Sequence, residues 1–364
     1  MKKLLLAATV ATIAMNAAQA APTLYGKLSV TLDNIDNNDF KDESVVKVNS
    51  NASRLGVKGE EKLTDNLSAV YLVEWEISAD GDGDVFKNRN RFVGVKSAGV
   101  ATLKVGQFDS YFKTAAGNNQ DIFNDNNELD MTKVLVGEDR LTDVIGFETD
   151  KKLLGGLAFN IMFQQGEESQ TANSIAKGYE DSRDGFGDGI SASLTYDNKD
   201  MGLAAAVAAN RAIASKFNAY SDLTGIYTDA VRVTGSLDLG AMGASGLVLG
   251  ALWQTAQPTD DTVTVTKGTP AVVTSYKGLQ EDAFGVTAAY KIASTPVKLK
   301  AQYISATTEV DGMKDRQQDL YGVGADYQIN KQARFYGVVG QQKRDWLTKD
   351  DTKTTIGLGM EYNF

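Results

Sequence analysis

The sequence predicts an all-β chain, an antiparallel β-barrel of about sixteen strands that crosses a membrane. Three observations carry the prediction. Apolar and polar residues alternate with period 2 along most of the chain. Short turns alternate with long polar connections. The segment Thr352 to Phe364 is an amphipathic strand that runs to the terminus. Ile356, Leu358, Met360, Tyr362 and Phe364 fall on one face, and Gly357, Gly359, Glu361 and Asn363 on the other. Successive strand side chains point to opposite faces, so one row is apolar and the other small or wet. A strand that closes a barrel in lipid has reason to end this way.

The N-terminus is expected to be a secretory signal. Lys2 and Lys3 are basic, Leu4 to Ala14 is apolar, and Ala18-Gln19-Ala20 is a small-x-small cleavage site. Residues 1–20 are then removed, and residues 21–364 form one barrel domain. The apolar stretch is too short for a spanning helix, and no later stretch reaches the length one needs.

Strands are expected near 23–34, 52–62, 67–79, 88–98, 101–109, 140–149, 156–167, 187–197, 201–211, 228–239, 246–256, 282–293, 296–307, 317–329, 332–345 and 352–364. Alternation is blurred in 246–256 and 332–345, and 201–211 is mostly alanine. The short connections include Thr64-Asp65-Asn66, Asp197-Asn198-Lys199-Asp200 and Asn330-Lys331. The long ones cover 35–51, 110–139, 168–186, 212–227 and 257–281. This asymmetry suits periplasmic turns and external loops. Phe147, Tyr196, Tyr290, Tyr327 and Tyr362 stand just before the short turns. Trp75, Phe163, Trp253 and Tyr303 stand near the long loops. Two aromatic bands at opposite ends of the apolar faces match interfacial girdles. A soluble secreted β-sandwich or β-helix would also alternate. The banding, the charges on the polar faces and the final strand favour the membrane barrel.

Alternation sends Lys27, Arg54, Lys58, Arg89, Arg91, Lys104 and Arg140 inward. Strands adjacent in sequence are usually adjacent in space, so these cations are expected on one stretch of wall. Like charges repel unless something opposite faces them. The long segment 110–139 supplies candidates in Asp121, Asp125, Glu128 and Asp130, interleaved with Phe123 and Leu129. The expectation is that it folds into the lumen and faces the basic wall. Opposed charges across a narrow aqueous neck set size and charge selectivity.

Composition excludes much else. The chain has no cysteine and no histidine. A Ser-His-Asp triad, a Cys-His pair and a His-ligated zinc site are therefore impossible. The formal net charge of −10 argues against nucleic acid. Asp80-Gly81-Asp82-Gly83-Asp84 resembles a calcium loop only superficially. Val85 and Arg91 stand where an EF-type loop wants Gly and Glu, so no metal site and no cofactor is expected.

These residues carry a family likeness. The chain resembles the general trimeric porins of Gram-negative outer membranes. The matching pieces are Leu24-Tyr25-Gly26-Lys27, Ser53-Arg54-Leu55-Gly56-Val57-Lys58-Gly59-Glu60, Arg91-Phe92-Val93-Gly94-Val95, Gly106-Gln107-Phe108 before the third loop, and Tyr362-Asn363-Phe364. The resemblance implies sixteen strands, a homotrimer, an inward third loop and passive diffusion of ions and small hydrophilic solutes. It implies contact with outer-membrane lipid and lipopolysaccharide, and reading of Phe364 by the barrel assembly machinery. By position, Lys27, Arg54, Arg89, Arg91 and Arg140 look like the family's basic eyelet wall. Asp121-Ile122-Phe123-Asn124-Asp125 stands where enterobacterial members carry Pro-Glu-Phe-Gly-Gly. An adhesin or receptor, a substrate-specific channel and an outer-membrane hydrolase are the competing readings. No ladder of aromatics lines the inward faces, and no loop marks a specific ligand.

Overall fold

A computed structural model describes residues 21–83, 86–167, 183–267 and 272–364. The expected signal segment, residues 1–20, lies outside the described residues, as do Asp84 of the acidic run and most of the loop expected at 168–186.

The first strands are β1 (Thr23–Asp36), β2 (Val45–Ser50), β3 (Arg54–Lys62), β4 (Leu67–Glu76), β5 (Lys87–Ser97) and β6 (Ala101–Asp109). The third loop follows. Then come β7 (Arg140–Thr149), β8 (Leu157–Gln164), β9 (Gly189–Asn198), β10 (Leu203–Lys216), β11 (Thr224–Asp238) and β12 (Leu247–Pro258). The hairpin β13 (Thr262–Lys267) and β14 (Val272–Lys277) stands apart as its own two-stranded sheet. The last wall strands are β15 (Gln280–Lys291), β16 (Val297–Glu309), β17 (Arg316–Gln328), β18 (Ala333–Arg344) and β19 (Thr352–Asn363).

Every wall strand pairs antiparallel with its neighbour in sequence, and β1 pairs with β19 from Lys27↔Asn363 to Asp36↔Thr354. That pairing closes the sheet and leaves no free edge in the membrane. β2 and β3 both pair with β1 and act as one wall strand broken at residues 51–53, so the barrel has sixteen staves. Ala52 takes a positive φ of 47° at the break. The Ser53 hydroxyl bridges it, accepting from the Ser29 amide at 3.0 Å and donating to the Ser29 carbonyl at 3.1 Å.

The outer face is apolar, as the alternation predicts. Leu24, Leu32, Val233, Val286, Val323 and Leu358 are exposed on the single chain. No helix among the described residues is long and apolar enough to cross a membrane, so crossing rests on the strands.

Three expectations about the loops need correction. Residues 35–51 hold the strand β2 rather than one long loop. Its Val-x-Val alternation is short, and the bulge at Ala52 hides its continuity with β3. Residues 212–227 are largely strand, because β10 and β11 reach beyond the membrane and leave only 217–223 as a turn. Residues 257–281 contain the hairpin β13–β14, whose Thr-Val alternation is a local strand signal. Buried Phe217, Tyr220, Leu223, Val263, Tyr276 and Leu279 from these loops pack into one apolar cluster with Phe112 at the root of the third loop.

Candidate functional site: the neck of the lumen

The segment 110–139 folds into the barrel. Short turns keep its backbone satisfied. Ser110 Oγ accepts from the Lys113 amide at 3.1 Å ahead of the turn Tyr111–Thr114. Asp130 accepts from the Thr132 amide at 2.9 Å and from the Asp125 amide at 2.7 Å. The inward residues of the far wall bind the rest. Gln254 donates to the Val136 carbonyl at 3.0 Å and Gln302 to the Leu129 carbonyl at 2.6 Å, while Gln120 of the loop donates to the Gly235 carbonyl of the wall at 2.7 Å. Buried backbone groups need such partners. Phe123, Leu129, Met131 and Leu135 sink into an apolar cluster with Leu252, Ile304, Leu320 and Val338 of the wall. The wall makes room with glycine. A Cβ at Gly340 would run into the Leu129 side chain.

The loop root is held by charge. Arg232 is fully buried, with Nη2 2.5 Å from Glu138 Oε1, its Nε and Nη2 on Gln254, and its guanidinium 4.3 Å from the Phe112 ring centroid. Burial pushes the Glu138 carboxyl up, and Arg232 opposes that rise. Asp139 is pushed up to about 6 by burial, against the hydrogen bond from Ser215.

With the loop docked across the lumen, the open space lies between it and the wall of β1 to β7, and extends along β16 to β19. Two cavities meet there. One of about 510 Å³ is lined by Tyr25, Lys27, Lys300 and Arg334, among others, and one of about 340 Å³ by Glu76, Arg89, Asp109 and Arg140. Arg54, Asn124 and Asp125 line both. Arg54 and Asp125, where the two cavities meet, form an ion pair.

Asp125 also receives Lys27 Nζ at 2.6 Å. Burial alone would raise its carboxyl, but Arg54 and Lys27 hold it below the ordinary carboxylate range. Its backbone is left-handed, φ 67°, which turns the carboxylate toward the wall. From this point ion pairs run along the wall in both directions. Arg89 Nε lies 2.6 Å from Glu74, which also accepts from the Tyr25 hydroxyl at 2.8 Å. Arg140 lies 3.0 Å from Asp109. On the other side Lys27 approaches Glu361 at 3.9 Å, Arg334 joins Glu361 to Asp326 at 2.9 Å each, and Lys300 meets Asp326 at 3.1 Å.

The expected site residues separate into three groups. Lys27, Arg54 and Asp125 meet directly, and Arg89 and Arg140 stand beside them with acids of the wall. Glu128 does not face the basic wall. It turns away to Lys353 of β19 at 2.6 Å, where both side chains are buried. Asp121 lines the larger cavity and forms no ion pair among the described residues, and burial plus the nearby Asp130 charge push it up to about 8.

Arg91 is a correction. A bulge between Val73 and Trp75 sets two residues of β5, Arg89 and Asn90, opposite Glu74. Both turn inward, Asn90 accepting from Arg140 Nε at 2.6 Å. Arg91 then pairs with Val73 and Gln107 on the face that carries exposed Val93 and Val105. Its neighbour Phe92 points into the lumen, under Lys104. Strict alternation across the bulge misplaces Arg91.

Sequence reasoning expected the opposing acids on the loop and missed those on the wall: Glu74, Glu76, Asp109 and Asp326. It also missed Lys300 and Arg334. Glu74, Glu76, Lys300, Asp326 and Arg334 occupy inward positions of alternating strands, so extending the count of charged inward residues to acids and to later strands would have found them, whereas Asp109 follows inward Phe108 at the end of β6 and falls out of step with the alternation. Phe364 pairs back-to-back with Gly26, amide to carbonyl at 3.0 Å each way, with its ring over the space a Gly26 side chain would fill.

A family model described as Gram-negative porin matches residues 5–346. The major outer membrane protein P.IB of Neisseria sicca is 26% identical over 392 residues, covering 100% of both chains. Among solved structures, an anion-selective porin from Comamonas acidovorans superposes with a TM-score of 0.66 at 17% identity, over 95% of this chain and 100% of that one. OmpT of Vibrio cholerae in its trimer form superposes at 0.64, also 17% identical, over 95% and 100%. At these identities the structures speak for the fold.

Proposed function

From the premise that this chain belongs to the Gram-negative porin family, we propose how its lumen selects solutes. The protein is an outer-membrane β-barrel that forms a water-filled channel for passive diffusion of ions and small hydrophilic solutes. In our reading Lys27, Arg54, Arg89 and Arg140 form the basic side of the constriction and Asp125 the acidic side. The single observation that supports it most is that Arg54 and Asp125 line both cavities and pair between them. Asp121 and Glu128 take other parts: Asp121 as a neutral lining group at pH 7, and Glu128 as an anchor of the loop.

The rest of the reading follows the family. The mature chain is residues 21–364 after removal of a signal. It works as a homotrimer among outer-membrane lipid and lipopolysaccharide, and Phe364 is the residue the assembly machinery reads. The reading assigns no catalytic chemistry, cofactor or metal to the lumen.

Planar-bilayer recording under a salt gradient tests it. Replacing Asp125 with Asn should move the reversal potential toward anions, and replacing Arg54 with Gln should move it toward cations. Unchanged potentials in both variants would sink the assignment while leaving the channel itself intact.

A further inference from the structure

We propose that the long-loop mouth of the lumen carries a binding site for small aromatic carboxylates, built on Arg316 and Arg344. The site lies away from the neck, and its test does not depend on the charge assignment made there.

Both arginines end wall strands on the long-loop side, Arg316 at the start of β17 and Arg344 at the end of β18. Period 2 places them inside. Leu320 packs against the third loop, and Gln342 donates to the Lys133 carbonyl of that loop at 3.4 Å. Gln318 and Arg344 stand two residues farther along the same inward rows, opposite each other in the sheet. Arg316 comes next on β17 and gives one N–H to the Ala219 carbonyl at 2.8 Å.

These two guanidiniums lack countercharges. Lysines nearby find acids: Lys314 has Asp345 at 3.8 Å, Lys343 has Asp351 at 3.7 Å, and Lys353 has Glu128 at 2.6 Å. Neither Arg316 nor Arg344 forms an ion pair among the described residues. Asp39 is near enough to attract Arg344 without forming one. Their neighbours are aromatic instead. Arg316 Cζ is 3.9 Å from the Tyr220 ring centroid and 5.4 Å from that of Trp346. Arg344 Cζ is 4.1 Å from that of Phe40 and 5.6 Å from the same Trp346. A ring attracts a cation but takes no strong hydrogen bond from it, so the N–H donors stay available. Two polar groups are also orphaned. Arg344 Nε is closed to solvent with no hydrogen-bond partner, and Gln318 is fully buried with both amide atoms unpartnered.

A charge withdrawn from water is costly unless it is paired. A carboxylate supplies the missing charge and accepts two N–H donors of one guanidinium at once. The shared Trp346 sets the rest of the ligand class, since a flat apolar body packs well against an indole. Arg344 and Trp346 are both partly exposed, so a ligand reaches them.

The chain has three tryptophans, Trp75, Trp253 and Trp346. Trp75→Phe with Trp253→Phe leaves Trp346 as the sole fluorescent indole. Its emission is followed in the folded protein in detergent as benzoate, benzamide or acetate is added. Benzoate should act at a concentration about tenfold below either control, because benzamide lacks the charge and acetate the ring. Arg344→Gln and Arg316→Gln should each raise the benzoate half-saturation about tenfold, the worth of one charge-assisted hydrogen bond. Lys343→Gln, on the opposite face of β18, should leave it unchanged. Where Arg344→Gln fails to fold, Arg344→Lys keeps the charge, loses the planar fork and should still weaken binding. Equal half-saturation for benzoate and benzamide overturns the proposal, and so does a half-saturation unmoved in both arginine variants. Asp125→Asn should bind benzoate as the native protein does. A failure of the neck assignment therefore shows in reversal potentials, and a failure here in Trp346 fluorescence.

Discussion

Arg89 and Arg91 are two residues apart on one strand, yet they project on opposite sides of the barrel wall. Arg89 reaches Glu74 inside at 2.6 Å, while Arg91 shares the outer row with Val93. One inserted residue in β5 reverses the parity of everything beyond it. The bulge therefore gives the lumen Arg89 and Asn90 side by side and removes Arg91 from it.

In the reading proposed above, a few charges set the selectivity of the neck. In a water-like dielectric one unit charge 4 Å from a passing ion contributes about 1 kcal/mol. Neutralising Asp125 or Arg54 should then change the permeability of each ion by up to about fivefold, in opposite senses for anion and cation, and so the anion-to-cation ratio by up to about thirtyfold, in opposite directions for the two variants. Reversal potentials under a salt gradient read this directly. The Arg91→Gln variant should leave the ratio unchanged.

Two loop carboxyls set the pH response. Asp125 is held below the ordinary range, so its contacts with Lys27 and Arg54 are present at neutral pH and are lost only as pH falls through that lowered value. Asp121 behaves in the opposite sense. Its folded form keeps a proton up to about pH 8, which the unfolded chain releases near 4. Its contribution to loop stability is therefore largest in acid, declines as pH rises to about 8, and is flat above. Selectivity should shift toward cations between pH 7 and 9, and Asp121→Asn should abolish the shift. A pH-independent ratio in the native protein would remove Asp121 from the lining.

Glu128 and Lys353 anchor the loop to the wall. Breaking a buried pair by removing one partner typically costs roughly 3 kcal/mol. Glu128→Gln or Lys353→Met should loosen the loop and give noisier single-channel currents. The charge-swapped pair, Glu128→Lys with Lys353→Glu, should quieten them again. Noise that persists in the swapped protein would mean the contact acts through shape rather than charge.

Gly340 is the complementary test by packing. A side chain there meets Leu129 head-on, so Gly340→Val should push the loop off its bed. Overpacking of this kind costs about 1–3 kcal/mol. The expected result is an altered conductance with the barrel's thermal stability little changed, because the strands themselves stay paired.

Phe364 fills the space above Gly26, and the two residues exchange backbone hydrogen bonds at the barrel seam. Phe364→Ala should reduce the amount of protein reaching the outer membrane in cells. The same variant should still refold in detergent, since the ten residue pairs of the β1–β19 register do not need the ring. Equal outer-membrane levels would remove Phe364 from the role of assembly signal.

The sequence by itself determined the staves. Alternation from Leu24 to Leu32 or from Ile356 to Phe364 is a local property, fixed by which side chains suit lipid and which suit water. The same pattern set the inward positions of Lys27, Arg54, Arg89 and Arg140, and the length of 110–139 marked it as the segment that enters the lumen. Only the tertiary structure decided which charges meet. Glu128 and Asp125 are three residues apart and look equivalent as sequence, but the turn at Asp125 sends one carboxylate to Arg54 and docking sends the other to Lys353. Arg91 was legible only once β4 and β5 were paired. Bulge positions, loop docking and salt-bridge partners are set by contacts between distant residues, and no local period encodes them.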